Sequence, residues 1–283
     1  MMAFTMGMIP FGMMVIPMGM NPFGMMVIPM DDGLINKMKM KRRIIHLQQT
    51  DSTNRYLHDL PDDGYDLTAV YADFQTAGRG QGSNTWESEP GKNLLMSVRI
   101  RPTSVPPAEQ FILSEAGALA LGKALSAYTG DITLKWPNDI YWRDFKISGT
   151  LIETAVSSCG ISRCIYGIGL NVNQRTFLSD APNPISLFQA TGCEHDVEEV
   201  MLRVLDALEE EMDIVAKGQY DDIRQRYHQM LYRRTGSHRY RDEHGLFEAE
   251  MVGVEDDGHL VLRDGQGRTR EYAFKEVAFV IGQ

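Results

Sequence analysis

From residue 43 onward, the apolar and polar positions alternate in short β-leaning runs broken by a few stretches of helical spacing. Arg43 to Gln48 and Leu67 to Phe74 read as strands, and Arg55 to Leu60 between them reads as a short helix with Asp51, Ser52, Thr53 and Asn54 as candidate N-cap side chains. A third strand is predicted over Asn93 to Ile100. Pro106 and Pro107 then open a helix whose apolar residues, from Phe111 through Leu119 to Leu125, recur at helical spacing until Gly130 stops it.

Ile132 to Trp136, Ile140 to Trp142, Lys146 to Val156 and Ile161 to Val172 have β character and are separated by turns, so a meander of antiparallel strands is expected there. Asp196, with Glu199 three residues on, has the spacing of a capping box before a helix that carries Val200, Leu205, Leu208 and Met212 and stops at Gly218. A further helix is predicted over Tyr220 to Leu231. Beyond Gly236 the pattern changes to short strands joined by Glu-His-Gly, Asp-Asp-Gly and Asp-Gly-Gln-Gly turns, as in a small β-barrel. The expected domains are therefore 41–234 and 235–283, with a boundary near Arg234.

Residues 1–40 stand apart, because the nine residues Pro10 to Met18 recur as Pro22 to Met30 and 11 of the chain's 18 methionines lie in the first thirty positions. Pro and Gly interrupt every apolar run and no basic segment precedes them, so neither an export signal nor a membrane span is expected. The segment reads as a repetitive extension that is disordered or non-native, with Met38 or Met40 as candidate initiators. A hydrophobic content of 43% supports a folded core, and a net charge of -10 argues against a general nucleic-acid binder. Cys159, Cys164 and Cys193 lack CxxC spacing, which points to free thiols in a reducing compartment and hence to the cytoplasm.

Four segments carry candidate chemistry. Gly78, Gly80 and Gly82 alternate with Arg79, Gln81 and Ser83, a pattern that lets backbone approach a ligand while Arg79 meets an anion; a tight surface turn is the alternative. Lys135-Trp136-Pro137-Asn138-Asp139 sets a lysine and two oxygen-bearing side chains around a turn, suited to a phosphate and its Mg²⁺ near Asp139 or simply to a solvated hairpin. In Lys146-Ile147-Ser148-Gly149-Thr150-Leu151 a mid-strand glycine marks close approach by a ligand or another backbone, and Gly167-Ile168-Gly169-Leu170-Asn171 repeats that signature.

Together GRGQGSNTW at 78–86, KWPND at 135–139, KISGTLIE at 146–153 and GIGLNVN at 167–173 resemble, in order, the signature segments of biotin protein ligases. The resemblance implies an α+β fold, a mixed and largely antiparallel sheet flanked by helices like that of class II synthetases, with a small SH3-like C-terminal barrel. It implies an enzyme that uses ATP and Mg²⁺ to make biotinyl-5'-AMP and passes biotin to a lysine of a carboxylase's biotin carboxyl carrier domain. By the same resemblance Ser52, Thr53, Asn54, Gln75, Arg79, Gly80, Gln81, Lys146, Gly149 and Gly167 serve biotin. Lys135, Asn138, Asp139 and Asn171 serve the nucleotide, and Lys146, Lys135 and Arg79 carry the catalytic charge.

The nearest rival is a lipoate or octanoyl ligase of the same fold. A biotin-responsive repressor is the rival from another class, but nothing before Thr50 supplies two helices and a turn, so neither nucleic acid nor membrane is an expected partner. The loop departs from the family's usual GRGRxGRxW at Gln81 and Asn84. Arginine pairs bidentately with phosphate and glutamine does not. Gln81→Arg is therefore expected to slow dissociation of the adenylate intermediate, measured by stopped-flow; an unchanged rate would remove Gln81 as a determinant of retention.

Overall fold

The computed structural model describes residues 40–62, 64–80, 82, 84–158, 160–178 and 183–281; the expectations for the extension, apart from Met40, and those for Gln81 and Cys159 fall outside them. Seven strands form one sheet: β1 (Arg42–Thr50), β2 (Leu67–Gln75), β3 (Leu94–Ile100), β4 (Ile132–Lys135), β5 (Asp139–Trp142), β6 (Phe145–Ser157) and β7 (Gly160–Leu170). Their order is β1-β2-β3-β7-β6-β5-β4. β1 and β2 run parallel, since α1 (Thr53–Asp59) returns the chain between them, and every other neighbouring pair is antiparallel. β4 to β7 form the predicted meander.

All seven residues of β3 are buried. α1 packs on β3 and β7, while α2 (Phe111–Ser126) meets α4 (Val197–Ala216), α5 (Tyr220–Met230) and the meander edge. The amphipathic helices α4 and α5 thus cover α2, which is buried almost all round. Arg99, itself buried, reaches from β3 to the carbonyls of Leu57, Leu60 and Pro61 and satisfies the last turn of α1.

Three local expectations differ from the structure. Ser52 occupies the N-cap position of α1 without a side-chain cap bond, because the neighbouring Thr53 and Asn54 are drawn inward by partners on the sheet. α2 stops at Ser126, short of Gly130, where the Ser126 hydroxyl donates back to the Gly122 carbonyl and the amides of Tyr128 and Thr129 fold onto Leu125. Asp196 accepts from the amides of Glu198 and Glu199, but the Glu199 carboxylate pairs with Arg203 instead of returning the bond. A reciprocal capping box stands instead at Ser186 and Gln189, opening the short α3 (Leu187–Thr191).

The small C-terminal sheet contains β8 (Ser237–Asp242), β9 (Gly245–Val254), β10 (Leu260–Asp264), β11 (Thr269–Tyr272) and β12 (Ala278–Phe279), in the order β11-β10-β9-β8-β12. It docks through specific contacts: Trp136 Nε1 donates to the Gly258 carbonyl at 2.9 Å, Arg233 to the Val280 carbonyl at 2.8 Å, and Arg224, itself paired with Glu109, meets Asp256 at 2.9 Å. Among the described residues no helix is long and apolar enough to cross a membrane.

Beneath that junction, Glu115 on α2 is buried. Burial pushes its carboxyl up to about 8; Arg224 opposes the rise, and Asp256 and Glu109 add to it. An acid that binds its proton more tightly when folded loses stability as pH climbs from its ordinary value of 4.5 to about 8, and loses no more above that. Glu115→Gln, which mimics the protonated form, is expected to be more stabilising at pH 9 than at pH 5, by on the order of 1 to 3 kcal/mol in denaturant titrations. An advantage independent of pH would refute this assignment.

Candidate active site

Register across the meander brings the separate motifs together. Lys135 pairs with Asp139, Asp139 with Gly149 and Gly149 with Gly169, so one row crosses β4, β5, β6 and β7. Directly opposed residues share a face of an antiparallel sheet. In the next row on that face Leu151, Gly167 and Ser97 lie side by side.

Lys146 joins this face through an irregularity. Strict alternation would turn Lys146 and Gly149 to opposite sides. The register slips between Ile140 and Tyr141, however, so Ile140 faces Ser148 while Tyr141 faces Lys146. The bulge leaves Ile147 as the extra residue and delivers Lys146 beside Asp139. The two side chains lie 2.7 Å apart, and Lys135 Nζ is 3.7 Å from the other Asp139 oxygen. Lys135 and Asp139 are only 15% and 13% exposed. Burial pulls the Lys135 ammonium below the usual lysine range, against the attraction of Asp139.

The two glycine rows form a floor that other side chains occupy. A Cβ on Gly167 would stand 2.2 Å from Asn54 Oδ1, and one on Gly169 would stand 2.3 Å from Trp86 Cε2. Trp86 is delivered by the glycine-rich segment, which folds back as a narrow hairpin: Trp86 N donates to the Gly78 carbonyl, and Gly80 N to that of Asn84.

At the other end, α1 meets the sheet through a polar chain. Thr53 Oγ1 lies 3.0 Å from Gln75 Oε1 and 2.7 Å from Ser97 Oγ, which in turn donates to Asn54 Oδ1. Asn54 Nδ2 donates to Glu153 at 3.0 Å, and Arg79 approaches the same carboxylate at 4.0 Å. Two hydroxyl protons serve three oxygen–oxygen contacts. This end is therefore rich in acceptors and suits a ligand that brings N–H donors.

These features line one cleft of about 740 Å³. It brings together Ser52, Thr53, Asn54, Gln75, Arg79, Gly80, Lys135, Asn138, Asp139, Lys146, Gly149, Gly167 and Asn171. Asn138 is engaged structurally, since its side chain donates to the Thr150 carbonyl and fixes the turn after Lys135. Asn171 Nδ2 donates to the Ile185 carbonyl, whereas among the described residues its Oδ1 is buried without a partner, as are Trp86 Nε1 and Asn183 Oδ1 of two other lining residues. Buried polar atoms left unpaired carry a desolvation cost that a polar ligand can offset.

Residue-type reasoning assigned no role to Trp86 or Phe274, which line the cleft, or to Ser97, a fully buried hydroxyl behind Thr53 and Asn54. Trp86 ended a recognised segment. Ser97 and Phe274 sit in an apolar strand and a distant domain, where spacing offers no signal.

Among the described residues no group of three or more His, Cys, Asp or Glu side chains could hold a metal. Asp139, the position expected near Mg²⁺, faces two lysines. One carboxylate facing two ammonium groups is too small a donor set to cage a divalent cation with protein groups alone.

Comparison with known proteins agrees with this geometry. The biotin/lipoate A/B protein ligase family model matches residues 46–173. The bifunctional ligase/repressor of Bacillus spizizenii is 31% identical over 242 residues, 83% of this chain and 73% of that protein. The biotin–[acetyl-CoA-carboxylase] ligase of Paracoccus denitrificans is 30% identical over 78% of this chain and 95% of its own length. A biotin protein ligase from Aquifex aeolicus, solved in complex with biotin and ATP, superposes with a TM-score of 0.70 at 27% identity, covering 85% of this chain and 99% of that one.

The floor makes a stability prediction. Gly167→Ala forces Asn54 off its partners and is expected to cost about 1 to 3 kcal/mol. Gly130→Ala points into open space and should stay within about 0.5 kcal/mol of the parent in denaturant titrations. Equal stability of the two variants would show that the Asn54 contact does not constrain position 167.

Proposed function

The chain belongs to the biotin/lipoate A/B protein ligase family, and on that premise we propose a mechanism in which its cleft joins biotin to ATP as biotinyl-5'-AMP and then delivers biotin to a carrier lysine. The observation that carries the reading is the cleft's polarity, with an acceptor-rich end at Thr53, Gln75, Ser97 and Asn54 and a two-lysine end at Lys135 and Lys146. Biotin has matching ends: a ureido ring with two N–H donors, and a carboxylate. Lipoate's dithiolane offers no N–H, which favours biotin over the related acyl substrate.

Ser52, Thr53, Asn54 and Gln75 receive the ureido ring, with Arg79 and Gly80 closing over it and the Gly149 and Gly167 backbone below. The carboxylate then points toward Lys146. Its oxygen forms a bond to the α-phosphorus of ATP, the bond from that phosphorus to the bridging oxygen breaks, and pyrophosphate leaves with the electron pair. Bringing two anions together is the main obstacle, and Lys146, Lys135 and Arg79 offset the charge in a partly dehydrated site. Asn171 Oδ1 accepts from the adenine amino group, while Asn138 holds the turn that presents Lys135 and Asp139. A Mg²⁺ arriving with the triphosphate would be held by Asp139 and would supply further charge screening.

In the second half-reaction the neutral amine of the carrier lysine attacks the biotinyl carbonyl, AMP departs, and the amine loses a proton as the amide forms. The reading places the enzyme in the cytoplasm with a biotin carboxyl carrier domain of a carboxylase as its acceptor, in keeping with the free thiols of Cys164 and Cys193. Its domains are 41–234 for catalysis and 235–283 for the C-terminal module.

Pyrophosphate–ATP exchange tests the reading. It is expected to require biotin, to be unsupported by lipoate and to fall about 100-fold in Lys146→Ala. Lipoate-dependent exchange, or full exchange in a folded Lys146→Ala protein, would overturn it.

A further inference from the structure

Glu153 closes the KISGTLIE segment and takes no part in the adenylation steps above. On β6 it follows Gly149 and Leu151 at alternate positions, so it continues their face of the sheet, opposite Ile165 on β7. It is not among the described residues that line the cleft. Its two carboxylate oxygens face different elements: Oε2 accepts from Asn54 Nδ2 at 3.0 Å, and Oε1 lies 4.0 Å from Arg79 Nη1. Asn54 is 4% exposed, whereas the Arg79 side chain is 51% exposed, so the sheltered and direct contact is the one to Asn54.

A carboxylate only accepts, so the Asn54 carboxamide turns its Nδ2 toward Glu153 and its Oδ1 toward Ser97. Ser97 Oγ then donates to Asn54 Oδ1, and the Thr53 hydroxyl has a single proton for two contacts, with Ser97 Oγ at 2.7 Å and with Gln75 Oε1 at 3.0 Å. Thr53 Oγ1, which lines the cleft, therefore receives no proton from Ser97. The opposite amide orientation would serve the chain better from within. Asn54 Nδ2 would donate to Ser97, Ser97 to Thr53 and Thr53 to Gln75, with a proton in every contact. Against it stands the clash of Asn54 Oδ1 with the Glu153 carboxylate, acceptor against acceptor.

We propose that Glu153 is a positioning residue that sets the direction of this hydrogen-bond chain, and through it the selectivity of the cleft for a ring that carries N–H donors. The inference rests on the biotin reading of the cleft and deepens it by naming what keeps the ureido end short of protons. Acting through Asn54, Glu153 holds the chain in the orientation that leaves one contact without a proton, and the shortage surfaces at Thr53. A ureido N–H fills it. A substrate without that donor leaves it in place, which is how a polar site rejects an analogue of the same shape. The effect is made at the opposite end of the cleft from Lys135 and Lys146, so it acts on substrate affinity and not on the step at phosphorus.

The test uses the full chain with Glu153→Leu, which removes the acceptor, and Glu153→Gln, which removes the charge but keeps a carbonyl that accepts from Asn54 Nδ2. Calorimetry measures binding of biotin and of its cyclic-carbonate analogue, in which ring oxygens replace both ureido N–H groups, and biotin-dependent pyrophosphate exchange gives KM and kcat. Glu153→Leu is expected to raise the Kd and KM for biotin about tenfold, to narrow the preference for biotin over the carbonate by the same factor and to keep kcat, with Glu153→Gln close to wild type. Equal biotin affinity in wild type and Glu153→Leu would overturn the inference while leaving the ligase reading intact. Equal losses in the two variants would also overturn it, because charge and not the accepted bond would then be the cause. So would equal weakening of biotin and carbonate in Glu153→Leu, the mark of a structural role. The expected binding pattern without biotin-dependent exchange in wild type would uphold the positioning role and remove the adenylation reading.

Discussion

Everything in this cleft depends on holding two lysines beside one carboxylate in partial burial. Lys135 and Lys146 flank Asp139 from neighbouring strands, and the carboxylate offsets the cost of desolvating them together. Lys135 feels that cost, since burial lowers its affinity for a proton while Asp139 raises it. An anionic substrate that replaced Asp139 as partner would enter a site whose positive charge is already in place. Reorganisation is small, which is what makes such charges effective when two anions must meet.

The bulge in β6 is what permits this. Without the slip at Ile147, Lys146 would lie on the opposite face from Asp139 and Gly149. The same face must also be bare of side chains where Trp86 and Asn54 lie across it. Gly149 and Gly169 therefore stand opposite one another, and Gly167 follows two residues before, beneath Asn54. The C-terminal sheet closes the far side, bound through Trp136, next to Lys135 at the end of β4, and through Arg224 and Arg233 on and after α5. The small module is thus a structural neighbour of the cleft as well as its outer wall.

Much of this was legible in the residues. The meander from β4 to β7, the core helix α2 and the change of pattern near Arg234 follow from period and turn chemistry, which act locally. Mid-strand glycines at 149 and 167 signalled approach by a ligand or another backbone, and the structure sets the side chains of Trp86 and Asn54 against them. The Ile147 bulge was not legible, because register depends on the partner strand. Neither was the inward turn of Thr53 and Asn54: their type suits a helix cap, and only Ser97 and Glu153, distant in sequence, draw them away. Ser97 and Phe274 carry no motif and become visible only when strands and domains meet. The resemblance to biotin protein ligases supplied site assignments that spacing alone left open between ligand contacts and ordinary turns.

The central claim is the polarity of the cleft, and a crystal structure with biotinyl-5'-AMP tests it most directly. The account places the ureido ring against Thr53, Asn54 and Gln75 and the phosphate within hydrogen-bonding reach of Lys146. The intermediate bound in the reverse direction, or with its phosphate remote from both Lys135 and Lys146, would contradict it.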